Sequence, residues 1–181
     1  IFSTILVRTK KSNGSWSAPA VASFSGMFSD LEPAFSQDGK KLFFCSNRPV
    51  SGDKKKDYDI WVMDRSGSQW SAPVNLGPVI NTAADEFYPS VASSGNLYFT
   101  AQYDGKGPGR EDIYVANWSN GNYQTPVALD TGVNSKSYEF NAFVSPDEKF
   151  ILFTSYGRKD DSGGGDLYIS EKGANGQWTK A

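Results

Sequence analysis

The chain has 181 residues with 18 Lys and Arg against 20 Asp and Glu, and this near balance excludes the dense positive face that nucleic acid or an anionic membrane surface requires. At 38% hydrophobic and 14% aromatic it can bury the core of one domain, or of a large part of one. The absence of histidine excludes Ser-His-Asp and Cys-His nucleophilic systems and imidazole-ligated zinc.

The opening IFSTILVRTKK has neither an initiating Met nor a signal-peptide layout, and no apolar run is long enough for a spanning helix. The chain is therefore expected to be a segment of something longer that does not span a membrane. Ile5 to Val7 stands in the register of Ile60 to Val62, and Trp16 to Pro19 in that of Trp70 to Pro73. The chain thus starts halfway through a repeat.

From Asp30 the repeat is written in full. DLEPAFSQDGKKLFF at Asp30 returns as EFYPSVASSGNLYF at Glu86 and EFNAFVSPDEKFILF at Glu139. Asp59, Asp112 and Asp166 each open a further apolar run, and Trp16, Trp70, Tyr123 and Trp178 recur at the same period, near 54 residues. Self-similarity at this scale means one supersecondary unit copied along the chain, with neighbouring copies burying a shared core. Cys45, within LFFCS, cannot form an internal disulfide and reads as a small buried hydrophobe.

Each copy is read as four short strands rich in β-branched and aromatic residues, with no sustained helical period. The first opens at Pro33 or Pro89, and the fourth starts at the Trp or Tyr marker and contains Pro73 or Pro126. Asp38-Gly39 and Ser94-Gly95 join first to second, and Asn13-Gly14, Asn120-Gly121 and Asn175-Gly176 join third to fourth, as tight hairpins. Proline lacks a backbone donor, so first and fourth strands are the sheet edges. A repeated four-stranded meander is a propeller blade, whereas a β-sandwich would not need a fixed repeat. The expected fold is all-β: a β-propeller of four-stranded antiparallel blades, here about three blades plus remnants. Residues 1–29 are the second half of a blade, 30–76 and 86–129 are blades, and 139–181 is a truncated blade. Such an arc would not close by itself, so the remaining blades are expected from flanking sequence or a second copy.

An acidic residue, Pro, then SQDGKKLFF, SNR, a charged loop and DIWV resembles the WD40-like PD40 repeat of TolB-type propellers. The links WSAPVNLGPVIN and YQTPVALDTGVN resemble the form found in envelope proteins with an OmpA-like peptidoglycan-binding domain. The resemblance implies a non-catalytic scaffold that binds a protein or cell-envelope glycan partner, in the periplasm or at the outer membrane, without a cofactor. Departures occur at SSGN in the second copy, and at Ala142 and Glu148, which replace Pro and Gly in the third, so those turns are expected to differ.

Meander topology puts Asp30, Glu86 and Glu139 on the same face as the irregular loops carrying Arg48, Arg110 and Arg158, and these six are the candidate ligand-binding residues. The alternative is structural: the carboxylates accept backbone N–H groups at blade junctions and the arginines are solvated loop charges. The three acids could also supply the paired carboxylates of glycoside hydrolysis, which leaves open the propeller portion of a larger hydrolase, a peptidase or a glycan-active enzyme with its catalytic residues mostly outside this segment. Asp160, Asp161 and Asp166 surround a glycine run but lack the ligand order of a calcium loop, so no metal is assigned. Asp64 to Trp70 is one residue too long between Asp and Gly for the Asp-box of sialidases.

Overall fold

The computed structural model describes residues 2–52, 56–103 and 105–181, and these contain strands and turns but no helix. Two short strands come first, β1 (Leu6–Val7) paired antiparallel with β2 (Ala20–Val21). The first full blade is β3 (Asp30–Phe35), β4 (Lys41–Ser46), β5 (Asp59–Ser66), β6 (Gln69–Trp70) and β7 (Val74–Asn75). The second is β8 (Glu86–Val91), β9 (Leu97–Ala101), β10 (Asp112–Ala116), β11 (Trp118–Ser119), β12 (Asn122–Tyr123) and β13 (Val127–Ala128). The third is β14 (Tyr138–Val144), β15 (Phe150–Tyr156) and β16 (Asp166–Glu171), with Trp178 bridging Lys172. All strand ladders are antiparallel meanders, and the fold is the all-β propeller type.

Two details of proline placement differ from expectation. Pro73 and Pro126 do not lie inside a continuous fourth strand; they break it into a hairpin piece (β6, β12) and a ladder piece (β7, β13). A residue with no N–H cannot carry the ladder across that point. Pro33 and Pro89 do not open the first strand but sit at its middle, where the register with the second strand slips. The same slip recurs between Phe140 and Phe143. Just before each of these points Glu32, Tyr88 and Asn141 adopt φ of 54°, 54° and 55°. A bulge leaves one residue unpaired, so a proline there removes no ladder bond.

Side-chain alternation on the second strand of each blade fills both seams. Phe44 packs with Ile5, Ala22 and Trp61 toward the N-terminal strands, while Phe43 joins Ile60, Val91 and Phe99 between first and second blades. Tyr98 turns the other way, to Val144, Phe153 and Trp178 between second and third. On the far side of the third blade Phe143, Leu152, Leu167 and Ile169 are exposed. The links between blades carry their own lock. Asn81 accepts from the Ile60 N–H and donates to its carbonyl, both at 2.9 Å, and Asn134 does the same to Ile113. An amide side chain thus supplies the bonds a neighbouring strand would have made.

Candidate functional site

Antiparallel register brings Asp30, Ser46 and Asp59 to one end of the first blade, and the equivalent residues of the other blades to the same face. Asp30 is 1% exposed, and accepts from Ser25 Oγ at 2.7 Å, Ser46 Oγ at 2.6 Å and Arg48 Nη2 at 2.7 Å. Arg48 also donates to the Phe24 carbonyl and lies 4.9 Å from the Phe44 ring centroid. In the third blade Glu139 is likewise buried, accepting from Ser135 N–H and Oγ, Ser155 Oγ and Arg158 Nε. Arg158 donates to the Val133 carbonyl and stacks 4.6 Å from Tyr168. Each is a buried ion pair with its remaining lone pairs satisfied, the condition under which such a pair can hold its place.

The second blade breaks the pattern. Glu86 is fully buried and accepts from Thr82 N–H and Oγ1, with the Tyr103 hydroxyl also lowering its carboxyl but no cation paired to it among the described residues. Where the other blades have Ser46 and Ser155, this one has Ala101; where they have Arg48 and Arg158, it has Tyr103. The Tyr103 hydroxyl caps the Ile80 carbonyl at 2.7 Å, taking over that duty of the arginine without its charge. Burial therefore pushes the Glu86 carboxyl up to about 7, with the Thr82 bonds opposing and Asp59 adding to the rise. Asp112, at the start of β10, is raised to about 6 by burial, against the Gly109 N–H bonds and with help from Glu139.

Above Glu86 lies a cleft of about 610 Å³ of mixed lining, with Thr82, Asp85, Phe87, Tyr103, Lys106 and Glu111 among its residues. Thr100 is 1% exposed and its hydroxyl has no hydrogen-bond partner among the described residues. Asp85 accepts from the Tyr58 N–H at 2.8 Å, and Lys106 sits 5.3 Å from the Tyr103 ring. Burial, and then the Asp85 charge, raise the Glu111 carboxyl. The cleft offers two carboxylates and one ammonium.

Of the six residues singled out in the sequence, four form two braces inside the fold, Asp30 with Arg48 and Glu139 with Arg158. Glu86 lies beneath the cleft rather than on its wall. Among the described residues Arg110 joins no acid; it is exposed and donates to the Tyr138 hydroxyl at 2.9 Å. Residues 53–55 and 104 of the charged loops, Asp53, Lys54, Lys55 and Asp104, lie outside the described residues. Asp161 and Asp166 are taken up by the Gly157, Gly163 and Ser162 N–H groups of their own loop. Thr100, Asp85, Lys106 and Glu111 were not legible one by one. A signal existed in the repeat, since Ala101 and Tyr103 mark the second blade as the one lacking a donor and a cation.

No family model matches the chain, and no curated protein matches it. Solved structures do. A puromycin-hydrolysing peptidase of Mycobacterium tuberculosis aligns at 13% identity with a TM-score of 0.55, over 92% of this chain and 22% of that one. The Hadza microbial sialidase Hz136 aligns at 14% identity and 0.56, over 98% of this chain and 40% of that one. A candidate TolB from Agrobacterium tumefaciens aligns at 16% identity with a TM-score of 0.44, over 85% of this chain and 62% of that one. The chain thus spans about a fifth to two-fifths of the first two, and the likeness is one of fold.

Proposed function

We propose that the chain is a non-catalytic propeller scaffold of the bacterial cell envelope that takes a protein or glycan partner on the face carrying Asp85 and Glu111. The observation that supports this best is the cleft itself, which sets the Asp85 and Glu111 carboxylates and the Lys106 ammonium around one opening. Opposite charges set around one concave opening are the kind of polar lining that orients a bound partner. The TolB-type resemblance supports the envelope setting and the binding role. The exposed apolar side of the third blade is where a further blade, or a second copy, would stack.

The test places a photo-crosslinking amino acid at Lys106 and compares capture from envelope fractions and purified peptidoglycan, with and without Glu111→Lys. Adducts that Glu111→Lys abolishes are the expected result. Adducts indifferent to Glu111 would move the site elsewhere. The second reading, a propeller portion of a larger hydrolase, draws on the Glu86 carboxyl held near neutrality beneath the same cleft, the protonation range of a general acid. Turnover of an aminoacyl amide or a sialoside by the chain, lost in Glu86→Gln, would favour it.

A further inference from the structure

The opposite face, where the hairpins are, carries a second cavity that the internal repeat explains. Between second and third blades the seam is sealed there by Glu148, whose carboxylate accepts from Tyr98 Oη at 2.7 Å, Ser94 Oγ at 2.9 Å and Asn96 Nδ2 at 3.0 Å. Trp178, 8% exposed, fills the space behind, edge-on to Tyr98. Between first and second blades each of these three has a smaller counterpart. Gly95 stands for Glu148, Phe43 for Tyr98, and Tyr123 for Trp178. The seam stays open as a cleft of about 700 Å³.

Its lining is specific. Phe43 and Val91 form an apolar floor. Trp118, 40% exposed, forms one wall; its ring stands edge-on to Tyr123 at 4.7 Å, and its backbone N–H donates to Asn96 Oδ1. A β-carbon on Gly95 would lie 3.0 Å from the Trp118 ring, so the glycine both vacates the seam and lets the indole lie against the backbone. The rim holds two cation–carboxylate contacts, Lys41 to Asp64 at 2.5 Å and Lys40 to Asp38 at 3.7 Å.

We infer that this seam is a binding site for a neutral saccharide, packed by its C–H face on Trp118 and hydrogen-bonded through its hydroxyls to the Lys40, Asp38 and Asp64 rim. An exposed, pre-positioned aromatic wall beside convergent polar groups is the make-up of a small-ligand cleft. The paired rim charges offer donors and acceptors together with little net field. A hydroxyl uses both, whereas a strongly charged peptide would meet repulsion from one member of each pair. The proposal rests on the binding reading given above but not on the cleft at Glu111, which lies on the other face.

The test is calorimetry and tryptophan fluorescence with cellotetraose, maltotetraose and tetra-N-acetylchitotetraose. At least one should bind and shift the emission. Trp118→Ala should weaken that binding at least tenfold, and Tyr123→Trp, which refills the seam as Trp178 does in the next, should do the same. Each variant is checked for an unchanged melting temperature, and Lys40→Ala, at a wholly surface position, gives a second readout of a few-fold loss. Glu111→Lys should leave saccharide binding unchanged. Silence from all three sugars, or binding indifferent to both Trp118→Ala and Tyr123→Trp, overturns the proposal without touching the Glu111 face. A deca-glutamate peptide that binds with Trp118 dependence while the sugars do not would make the seam a peptide site and overturn it equally.

Discussion

The Tyr103 hydroxyl donates to the Ile80 carbonyl at 2.7 Å, the position that Arg48 and Arg158 cap in the blades to either side. That exchange leaves Glu86 buried without a cation among the described residues, and it sets a pH dependence. The carboxyl ordinarily titrates at 4.5, and in the fold at about 7. Between those values the folded chain binds more protons than the unfolded one, so stability is full below about 4.5 and falls as pH rises toward 7. Asp112, raised from 3.8 to about 6, acts in the same direction over its own window. Urea unfolding should show the wild type less stable at pH 8 than at pH 5, and Glu86→Gln should remove up to roughly 3 kcal/mol of that difference. Equal losses in both proteins would mean that another group titrates.

The two braces predict the opposite kind of sensitivity. Arg48→Ala leaves Asp30 charged and buried, which costs about 3 to 5 kcal/mol. Arg110→Ala removes one exposed bond to Tyr138 and should cost no more than about 0.5 kcal/mol. Chemical denaturation of both variants checks this. Comparable losses would show that the charged loops contribute equally to stability.

This contrast also marks what the sequence made legible. A period carried by Asp59, Asp112, Asp166 and the aromatic markers identifies the blades, because every copy must bury the same strand faces against its neighbour. The direction of the loops follows too, since a meander leaves little choice of face. The braces and the clefts were less visible, because they arise where copies differ. Whether an acid meets an arginine depends on a residue 18 or 19 positions later, and Arg110 occupies a loop of another length. The mid-strand bulges were hidden for a similar reason: Pro33 reads equally as a strand start or as a slip, and only pairing decides.

The aromatic markers are not equivalent, although the repeat makes them look so. Trp178 is 8% exposed and shared between two blades, whereas Trp16 is 55% exposed. Trp178→Ala should cost about 3 to 5 kcal/mol, and Trp70→Ala, half-buried beside Phe35, less. Trp16→Ala should fall within the range of a surface change, about 0.5 kcal/mol. Thermal melts of the three variants in one buffer give the order directly, and a Trp16 variant as damaged as the Trp178 one would sink it.

Glu148 joins a conformational cost to a binding gain, and two substitutions separate them. Its φ of 57° lies where glycine is favoured, as at the matching Gly39 and Gly95 with φ of 67° and 90°. The third copy therefore keeps the turn of the others despite losing the glycine, and Tyr98, Asn96 and Ser94 hold the side chain in place. Burial alone would raise this carboxyl, but those three bonds outweigh it and hold it below its usual range. Its contribution is therefore present at neutral pH and lost as pH falls through the depressed value. Glu148→Ala forfeits the bonds and keeps the backbone cost; Glu148→Gly forfeits the bonds but relieves the backbone, and should be the more stable of the two by about 1 kcal/mol. Both should fall below wild type at pH 7 by about 1 to 3 kcal/mol, with the gap narrowing at pH 3. If alanine matched wild type at pH 7, the carboxylate would add nothing to the seam, and the open cleft at Gly95 would need a cause other than the missing side chain.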